Sequence, residues 1–269
     1  MVAPLPKLLS ESWSFSQKHA KILLTGAVVF GLLLSGIQVA FGVQMMMQAG
    51  GAFRSAGFDV NKMEDIAKKM DSGDESAKQA MMDELQKGVG SMKGKVNFTG
   101  IGITFVLIII LILSLNTIAG GFYFLVALGK GKDILATFQE SARVFFPLLG
   151  LYLWVALRTF AWIPVVGFIF AIILGPRFIL SPVLLLRDKK GVFESAKISY
   201  AKTKGYWGKI FGNMIAVGIL CVIGLFVASF VSVITGPLIF IMMPILMHMV
   251  IAFGIIFTTK LSVGILGTK

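Results

Sequence analysis

Two arginines lie within apolar stretches of this chain, and their side chains are the best suited there to bind a charged ligand. Arg177 stands between Pro176 and Pro182, and Arg158 lies in the apolar run before it. The stretches predicted below to span a membrane contain no Asp or Glu, so neither arginine has an acidic neighbour within them. A guanidinium in hydrocarbon costs at least about 2.5 kcal/mol and must find oxygen atoms or water.

The sequence leaves two sources of oxygen open for Arg177. Each proline deprives a carbonyl one turn earlier of its N–H donor, and a guanidinium can donate to such a carbonyl. Alternatively, Arg177 and Arg158 hold an anionic group, such as a phosphate, in a cavity open to water or lipid. Arg158 lies nearer the end of its stretch and can instead extend its charged head outward to water.

Methionine and histidine side chains suggest a different chemistry, the coordination of Cu(I). The chain has 14 methionines, and Met243 and Met247 share a helix face beside His248. Thioethers are ligands that select Cu(I). Methionine also fills irregular gaps in apolar packing, so a copper site here depends on a further ligand from a neighbouring helix.

Combinations of residues typical of catalysis are not found in the sequence. The two histidines, His19 and His248, are predicted on opposite sides of a membrane, and a single cysteine, Cys221, lies in an apolar stretch. No paired acids, glycine-rich phosphate loop or metal-ligand spacing accompanies them. We therefore expect a protein that is not an enzyme and needs no cofactor.

The composition indicates an integral membrane protein. Of 269 residues, 57% are apolar and 14% charged, and several windows of more than about 18 residues carry no charge. A net charge of +12 would suggest nucleic acid as the partner of a soluble protein. Here the basic residues cluster at the ends of apolar stretches, which favours membrane lipids as partners and not nucleic acid.

Hydropathy and Pro/Gly punctuation predict an all-α fold with six transmembrane helices. Tight turns at 163–167 and 235–237 divide long apolar runs into hairpins, because proline cannot continue a helix. The predicted spans are 22–48, 98–128, 145–164, 167–186, 208–234 and 237–262.

The distribution of Lys and Arg predicts that both ends of the chain are cytoplasmic. With that orientation the cytoplasmic segments hold 15 basic residues, and the outer side holds eight, all in the loop 49–97, where eight acids offset them. Positively charged loops are poorly translocated, which favours this arrangement.

An amphipathic segment containing a Glu-Ser pair precedes three of the spans. The pairs are Glu11-Ser12, Glu140-Ser141 and Glu194-Ser195, and apolar residues recur around them at helical spacing, such as Leu5, Leu9 and Trp13 in the first. Each segment is predicted to be a helix in the headgroup plane. The chain then comprises an amphipathic helix at 1–21 with a hairpin at 22–48 and 98–128, a second such unit at 129–186 and a third at 187–269.

Basic and aromatic residues at the cytoplasmic ends are predicted to contact lipid headgroups. They are Lys189, Lys190, Lys197, Lys202, Lys204, Trp207 and Trp13.

The outer loop 49–97 is predicted to form a helical hairpin. Asn61 with Glu64, and Ser72 with Glu75, have the spacing of capping boxes. They predict helices near 62–71 and 73–87, the second ending at Gly88 and Gly90. Such a hairpin could bind a protein partner.

The segment 175–212 resembles a known family. After Arg177 come a Leu-Ser-Pro-Val-Leu-Leu-Leu run from Leu180, Gly-Val-Phe from Gly191 and Lys-Gly-Tyr-Trp from Lys204. This order is similar to the membrane domain found beside bacterial glycerophosphoryl diester phosphodiesterases and as stand-alone six-span proteins. The resemblance implies a multi-pass protein of the bacterial cytoplasmic membrane. The loop 49–97 has no counterpart in that pattern. The sequence also lacks the phosphodiesterase catalytic domain, so the resemblance does not imply that activity.

The leading expectation is a non-enzymatic membrane protein that binds or moves an anionic lipid or amphiphile, or organises lipids, through Arg177 and Arg158. A second hypothesis makes it a scaffold or receptor that acts through the loop 49–97. A third is Cu(I) transport through Met243, Met247 and His248. Association into a homo-oligomer is compatible with each of them.

Overall fold

The structure, a computed structural model, describes residues 2–55, 65–66, 68–69, 75–92, 98–131, 133–160, 164–234 and 236–267. Most of these residues are helical, with no β-strand among them, which confirms the all-α prediction. A short 3₁₀ helix, Gly236–Leu238, precedes the last of the α-helices. In chain order these are α1 (Leu5–Lys18), α2 (Ala20–Ser55), α3 (Glu75–Met92), α4 (Phe98–Ala127), α5 (Ile134–Arg143), α6 (Phe145–Phe160), α7 (Pro164–Phe178), α8 (Ser181–Arg187), α9 (Val192–Lys202), α10 (Trp207–Ile234) and α11 (Ile239–Leu266).

Five stretches of the described chain are long and apolar enough to cross a membrane. They agree with five of the six predicted spans: Ala20–Met47, Gly102–Ala127, Phe170–Arg187, Trp207–Phe230 and Ile239–Leu266. The remaining prediction, 145–164, corresponds to α6, which has 16 residues. A sixth span results if α5 and α6, bent by 54° at their junction, are counted together.

The two predicted turns have different outcomes. Pro164 begins α7, so the residues that follow it to position 167 are helical and the predicted turn at 163–167 is wrong in its position. Proline fits the first turn of a helix because the N–H it lacks has no partner there. At the second turn α10 ends at Ile234, and Gly236 has a φ of 60°, a conformation that favours glycine. The predicted break at 235–237 is confirmed there.

The stretch around Arg177 consists of two helices. α7 ends at Phe178 and α8 begins at Ser181. Pro176 lies in the last turn of α7 and Pro182 in the first turn of α8, and neither has an N–H to continue the helical ladder. The predicted span 167–186 is therefore interrupted, and Arg177 lies at the interruption.

The three amphipathic segments form helices α1, α5 and α9, which bury small hydroxyl residues. The serine of each Glu-Ser pair, Ser12, Ser141 and Ser195, is 0% exposed. Large apolar residues of the same helices remain exposed: Trp13 at 60%, Leu135 at 68% and Phe193 at 65%. Small side chains allow helices to approach closely, and their hydroxyls donate to carbonyls of their own chain segment, as Ser12 does to Leu8 O at 2.6 Å.

The chain divides into two compact units, residues 1–35 with 112–269, and residues 36–111. In the second unit, Gln44 Nε2 donates to Thr104 Oγ1 at 3.2 Å, which joins α2 and α4.

α3 continues to Met92, so the predicted helix end at Gly88 and Gly90 is wrong. The residues Asn61, Glu64 and Ser72 of the two predicted capping boxes lie outside the described residues.

In the first unit, the segments predicted to be cytoplasmic meet at one end. We call this the basic end; it comprises α1, α5, α9, the loops 129–131 and 188–191, the segment 203–207 that follows α9, and the last turns of α11. Lys260 Nζ lies 4.5 Å from the ring centroid of Phe15, which joins α11 to α1. Lys130 Nζ donates to Leu186 O at 2.6 Å, and Arg187 Nη1 donates to Gly267 O at 3.1 Å.

The core of this unit lies close to the basic end. Leu8 of α1 packs in one apolar cluster with Leu180, Ile210 and Leu261, which belong to three other parts of the chain. A second cluster surrounds Phe30, Phe122 and Tyr123, and a third surrounds Leu148, Val183 and Ala196. α9 packs against α6, α7 and α8, and this contact forms the site described next.

Candidate functional site

A cavity of about 740 Å³ opens between α6, α7 and α9. Of the described residues that line it, two are basic, Arg158 from α6 and Lys197 from α9, and none is acidic. Its other walls are mainly aromatic and aliphatic, formed by Trp154, Phe170, Leu174, Phe178, Phe193, Ala196 and Tyr200. Binding sites for small molecules typically combine such apolar walls with a few polar groups that fix orientation.

Arg177 lies beside this cavity. Its Cζ atom is 5.4 Å from the ring centroid of Tyr200, one of the lining residues. Its Nη1 atom is buried and has no hydrogen-bond partner. The hypothesis that the guanidinium bonds to carbonyls freed by the prolines is not supported, since no such bond occurs among the described residues. One N–H donor group of the Arg177 guanidinium is therefore unpaired, next to a ring that lines the cavity.

The backbone groups at the helix interruption are satisfied by α9 instead. Ser199 Oγ donates to Arg177 O at 2.7 Å and accepts a hydrogen bond from Leu180 N at 3.2 Å. Thr203 Oγ1 lies 3.3 Å from the same carbonyl of Arg177. Downstream of α9, Trp207 Nε1 donates to Ile173 O at 2.8 Å. α9 thus holds the end of α7, and with it Arg177, in position.

These contacts place Arg177 at the depth of α9. The sequence predicts both that Arg177 lies near the middle of the hydrocarbon and that the helix 192–202 lies in the headgroup plane. The two expectations exclude each other, because Arg177 and Ser199 are in direct contact. The exposed Lys190–Glu194 pair, with 2.6 Å between Nζ and Oε1, favours the headgroup plane for α9.

Arg158 packs on the aromatic wall of the cavity. Its Cζ atom is 5.1 Å from the ring centroid of Trp154, one turn earlier on α6. Trp154 in turn meets Phe193 of α9 edge-on, with 4.8 Å between ring centroids. Of the predicted pair, Arg158 therefore lines the cavity and Arg177 lies beside it, and Lys197, predicted to contact headgroups, also lines it.

The aromatic residues of the cavity were not predicted as site residues. A signal for them exists in the sequence, because Trp154 precedes Arg158 by four residues and so shares its helix face. The same spacing joins Phe193 to Lys197 on α9. Nothing in the sequence, however, indicates that these two faces oppose each other.

The other residues predicted to contact headgroups lie at the basic end. Lys190 is bonded to Glu194, which raises the pKa of the Lys190 ammonium. Lys189, Lys202 and Lys204 are exposed. Trp207 stacks on Phe211, with ring centroids 4.9 Å apart. Trp13 lines a separate, mostly apolar groove of about 440 Å³ between α1, α2, α10 and α11.

The residues proposed for Cu(I) have other contacts. His248 is 0% exposed, and its ring faces those of Phe30 and Tyr123 at centroid distances of 5.8 and 6.3 Å. Met243 Sδ lies 4.0 Å from Ser229 Oγ. No group of three His, Cys, Asp or Glu side chains that could hold a metal occurs among the described residues. Copper binding by Met243, Met247 and His248 stays a prediction.

The apolar helices define a multi-pass membrane protein. No known family model matches the chain, and no curated protein or solved structure matches it either. The resemblance of residues 175–212 to the phosphodiesterase-associated membrane domain stays a hypothesis.

Proposed function

We propose that this protein binds the anionic headgroup of a membrane amphiphile in the cavity between α6, α7 and α9, without catalysing a reaction on it. The observation that carries the proposal is the buried, unpaired Nη1 of Arg177 beside a cavity that two further cations line. A buried donor without a partner costs about 1–3 kcal/mol, and more when it is charged. An anion that accepts from it would remove this cost.

The walls of the cavity favour an amphiphile over a small soluble anion. Phe170, Leu174 and Phe178 of α7 offer an apolar surface next to the cations. A lipid bound in the cavity would have its charged headgroup next to the cations, toward α9. Its acyl chains would lie along the apolar surface of α7. We place the basic end on the cytoplasmic side, since basic segments gather there. Impermeant labelling of Lys189 in intact cells tests that orientation.

The lipid content of the purified protein tests the proposal. Substitution Arg177→Leu is expected to lower the amount of co-purified anionic lipid about tenfold, the effect of losing a contact worth about 1.4 kcal/mol. Mass spectrometry of lipids extracted from equal amounts of folded protein measures this.

Arg143→Leu is the matched control, because it removes one arginine from α5 whose side chain is 76% exposed and paired with Glu140. That variant is expected to keep the lipid content of the wild type. Equal anionic lipid in the wild type and in folded Arg177→Leu would contradict the proposal.

A scaffold or receptor function is the second candidate, because residues 36–111 form a compact unit of their own. On its helix α3, Met82 is 69% exposed, which leaves an apolar side chain available to a protein partner.

Deletion of residues 55–92 separates the two candidates. Lipid binding at the cavity is expected to be unchanged, because every residue that lines it lies in the other unit. Lipid mass spectrometry and capture of a cross-linked partner give the two readouts. Loss of the cross-linked partner on deletion, together with an unchanged lipid content in Arg177→Leu, would favour the scaffold or receptor function.

A further inference from the structure

We infer that the headgroup bound in this cavity is a small phosphate monoester, as in a lipid whose terminal phosphate carries no further group. This inference rests on the proposed function and specifies its ligand.

Two positive charges, of Arg158 and Lys197, line the cavity, and a third, of Arg177, lies beside it against Tyr200. None of the ion pairs found in the described part of the chain involves Arg158, Arg177 or Lys197. The acids nearest to Arg177 and Lys197 along the chain pair elsewhere, Asp188 with Arg187 at 3.0 Å and Glu194 with Lys190 at 2.6 Å. A phosphate monoester carries about −1.5 to −2 charges at pH 7, whereas a diester carries one. The monoester therefore matches the site more closely.

The walls lack the groups that a larger polar headgroup needs. Among the described residues, no Asn, Gln, Ser, Thr, Asp or Glu side chain lines the cavity. The neutral polar side-chain groups of the described lining are the indole N–H of Trp154 and the hydroxyl of Tyr200. A sugar or inositol headgroup would leave most of its hydroxyls without partners, at a cost for each of them. A phosphate without a further substituent needs donors only, which Arg158 and Lys197 of the lining and the adjacent Arg177 would supply.

The two aromatic rings that already carry a cation disfavour a choline headgroup. A quaternary ammonium binds to the open faces of aromatic rings. Here the guanidinium of Arg158 lies over Trp154 and that of Arg177 lies over Tyr200. A second cation would meet like charges at both rings. Phosphocholine therefore fits this site poorly although it contains a phosphate.

Binding of four ligands to the full chain in detergent tests the inference. The probes are phosphatidic acid, phosphatidylglycerol and phosphatidylcholine with identical chains, and inorganic phosphate. We expect phosphatidic acid to bind about tenfold more tightly than phosphatidylglycerol at pH 8. One additional charge contact of about 1.4 kcal/mol corresponds to this difference in Kd. This preference should shrink at pH 5, because the second proton of a phosphate monoester has a pKa near 6. Inorganic phosphate at the same concentration should not compete.

A pair of variants links the preference to the cavity. The double variant Arg158→Gln/Lys197→Gln changes two exposed side chains. It is expected to bind phosphatidic acid no more tightly than phosphatidylglycerol. The control Lys202→Gln removes a charge from the same helix outside the cavity and should leave the preference intact.

Each other result has a distinct meaning. Equal affinity of the wild type for the two anionic lipids, with both weakened by Arg177→Leu, would overturn the inference and leave the proposed function standing. Equal affinity for all three lipids would overturn both. Competition by inorganic phosphate would show a site for the phosphate alone and would contradict a lipid ligand.

Discussion

Substitution of Gly31 by alanine is expected to lower the free energy of unfolding by about 1–3 kcal/mol, the cost of overpacking a well-packed contact. A Cβ atom at Gly31 would lie 2.7 Å from the Cα and N atoms of Ile245 on α11. Main-chain atoms cannot rotate away, so α2 and α11 would have to separate. Denaturation in detergent, followed by tryptophan fluorescence, measures the change.

The control for this prediction is Gly36→Ala on the same helix. A Cβ atom there meets nothing within 4 Å, and alanine is the better helix former by about 1 kcal/mol. Gly36→Ala should therefore be neutral or stabilising. Similar stabilities of the two variants would contradict the close crossing of α2 and α11.

Substitution of Ser199 by alanine is expected to cost about 1–3 kcal/mol of stability, because it leaves the buried N–H of Leu180 without its partner. The carbonyl of Arg177 keeps a donor in Thr203, so the double variant with Thr203→Val should lose more. Ser199→Ala should also reduce anionic lipid binding, since Ser199 positions the end of α7. Denaturation midpoints and lipid content are the two measurements.

Ser195→Ala is the matched control, one turn earlier on α9. Its hydroxyl is equally buried but bonds only to Lys190 O, at the long distance of 3.4 Å. Its cost should stay below about 1 kcal/mol, in the range of a weak hydrogen bond. A loss at Ser195 as large as that at Ser199 would contradict the role assigned to Ser199.

The fold was predictable from the sequence where hydropathy and proline decide it. Long apolar runs can satisfy their backbone in lipid only as helices, which is why five predicted spans agree with the structure. The interruption near Arg177 follows from Pro176 and Pro182. What hydropathy could not supply is the depth of Arg177, because that depends on the contact of Ser199, which comes 22 residues later in the chain.

The packing faces of the amphipathic helices were harder to predict. The sequence emphasises large apolar residues such as Trp13 and Phe193, yet these are largely exposed, and Ser12 and Ser195 are buried. In water, burial of large apolar side chains drives packing, but lipid chains are as apolar as a protein core. Contacts between helices then form where side chains are small. For a membrane protein, a serine at the centre of an amphipathic repeat is the better indicator of an interface.

The sequence predicted the cations of the candidate site but not the aromatic residues that form its walls. Arg158 and Arg177 attract attention because charge is rare in apolar stretches. Phe170, Trp154 and Tyr200 are aromatic residues among many, and only the packing of α9 across α6 and α7 makes them neighbours.

The contact between α1 and α11 also constrains how the molecule is made. Leu8 joins the apolar cluster of Leu261, and Phe15 meets Lys260, only after all of the chain between α1 and α11 has been synthesised. Until then the packing surface for α1 is incomplete. Assembly of this bundle must therefore finish after translation has passed α11, with α1 held at the membrane until α11 is made.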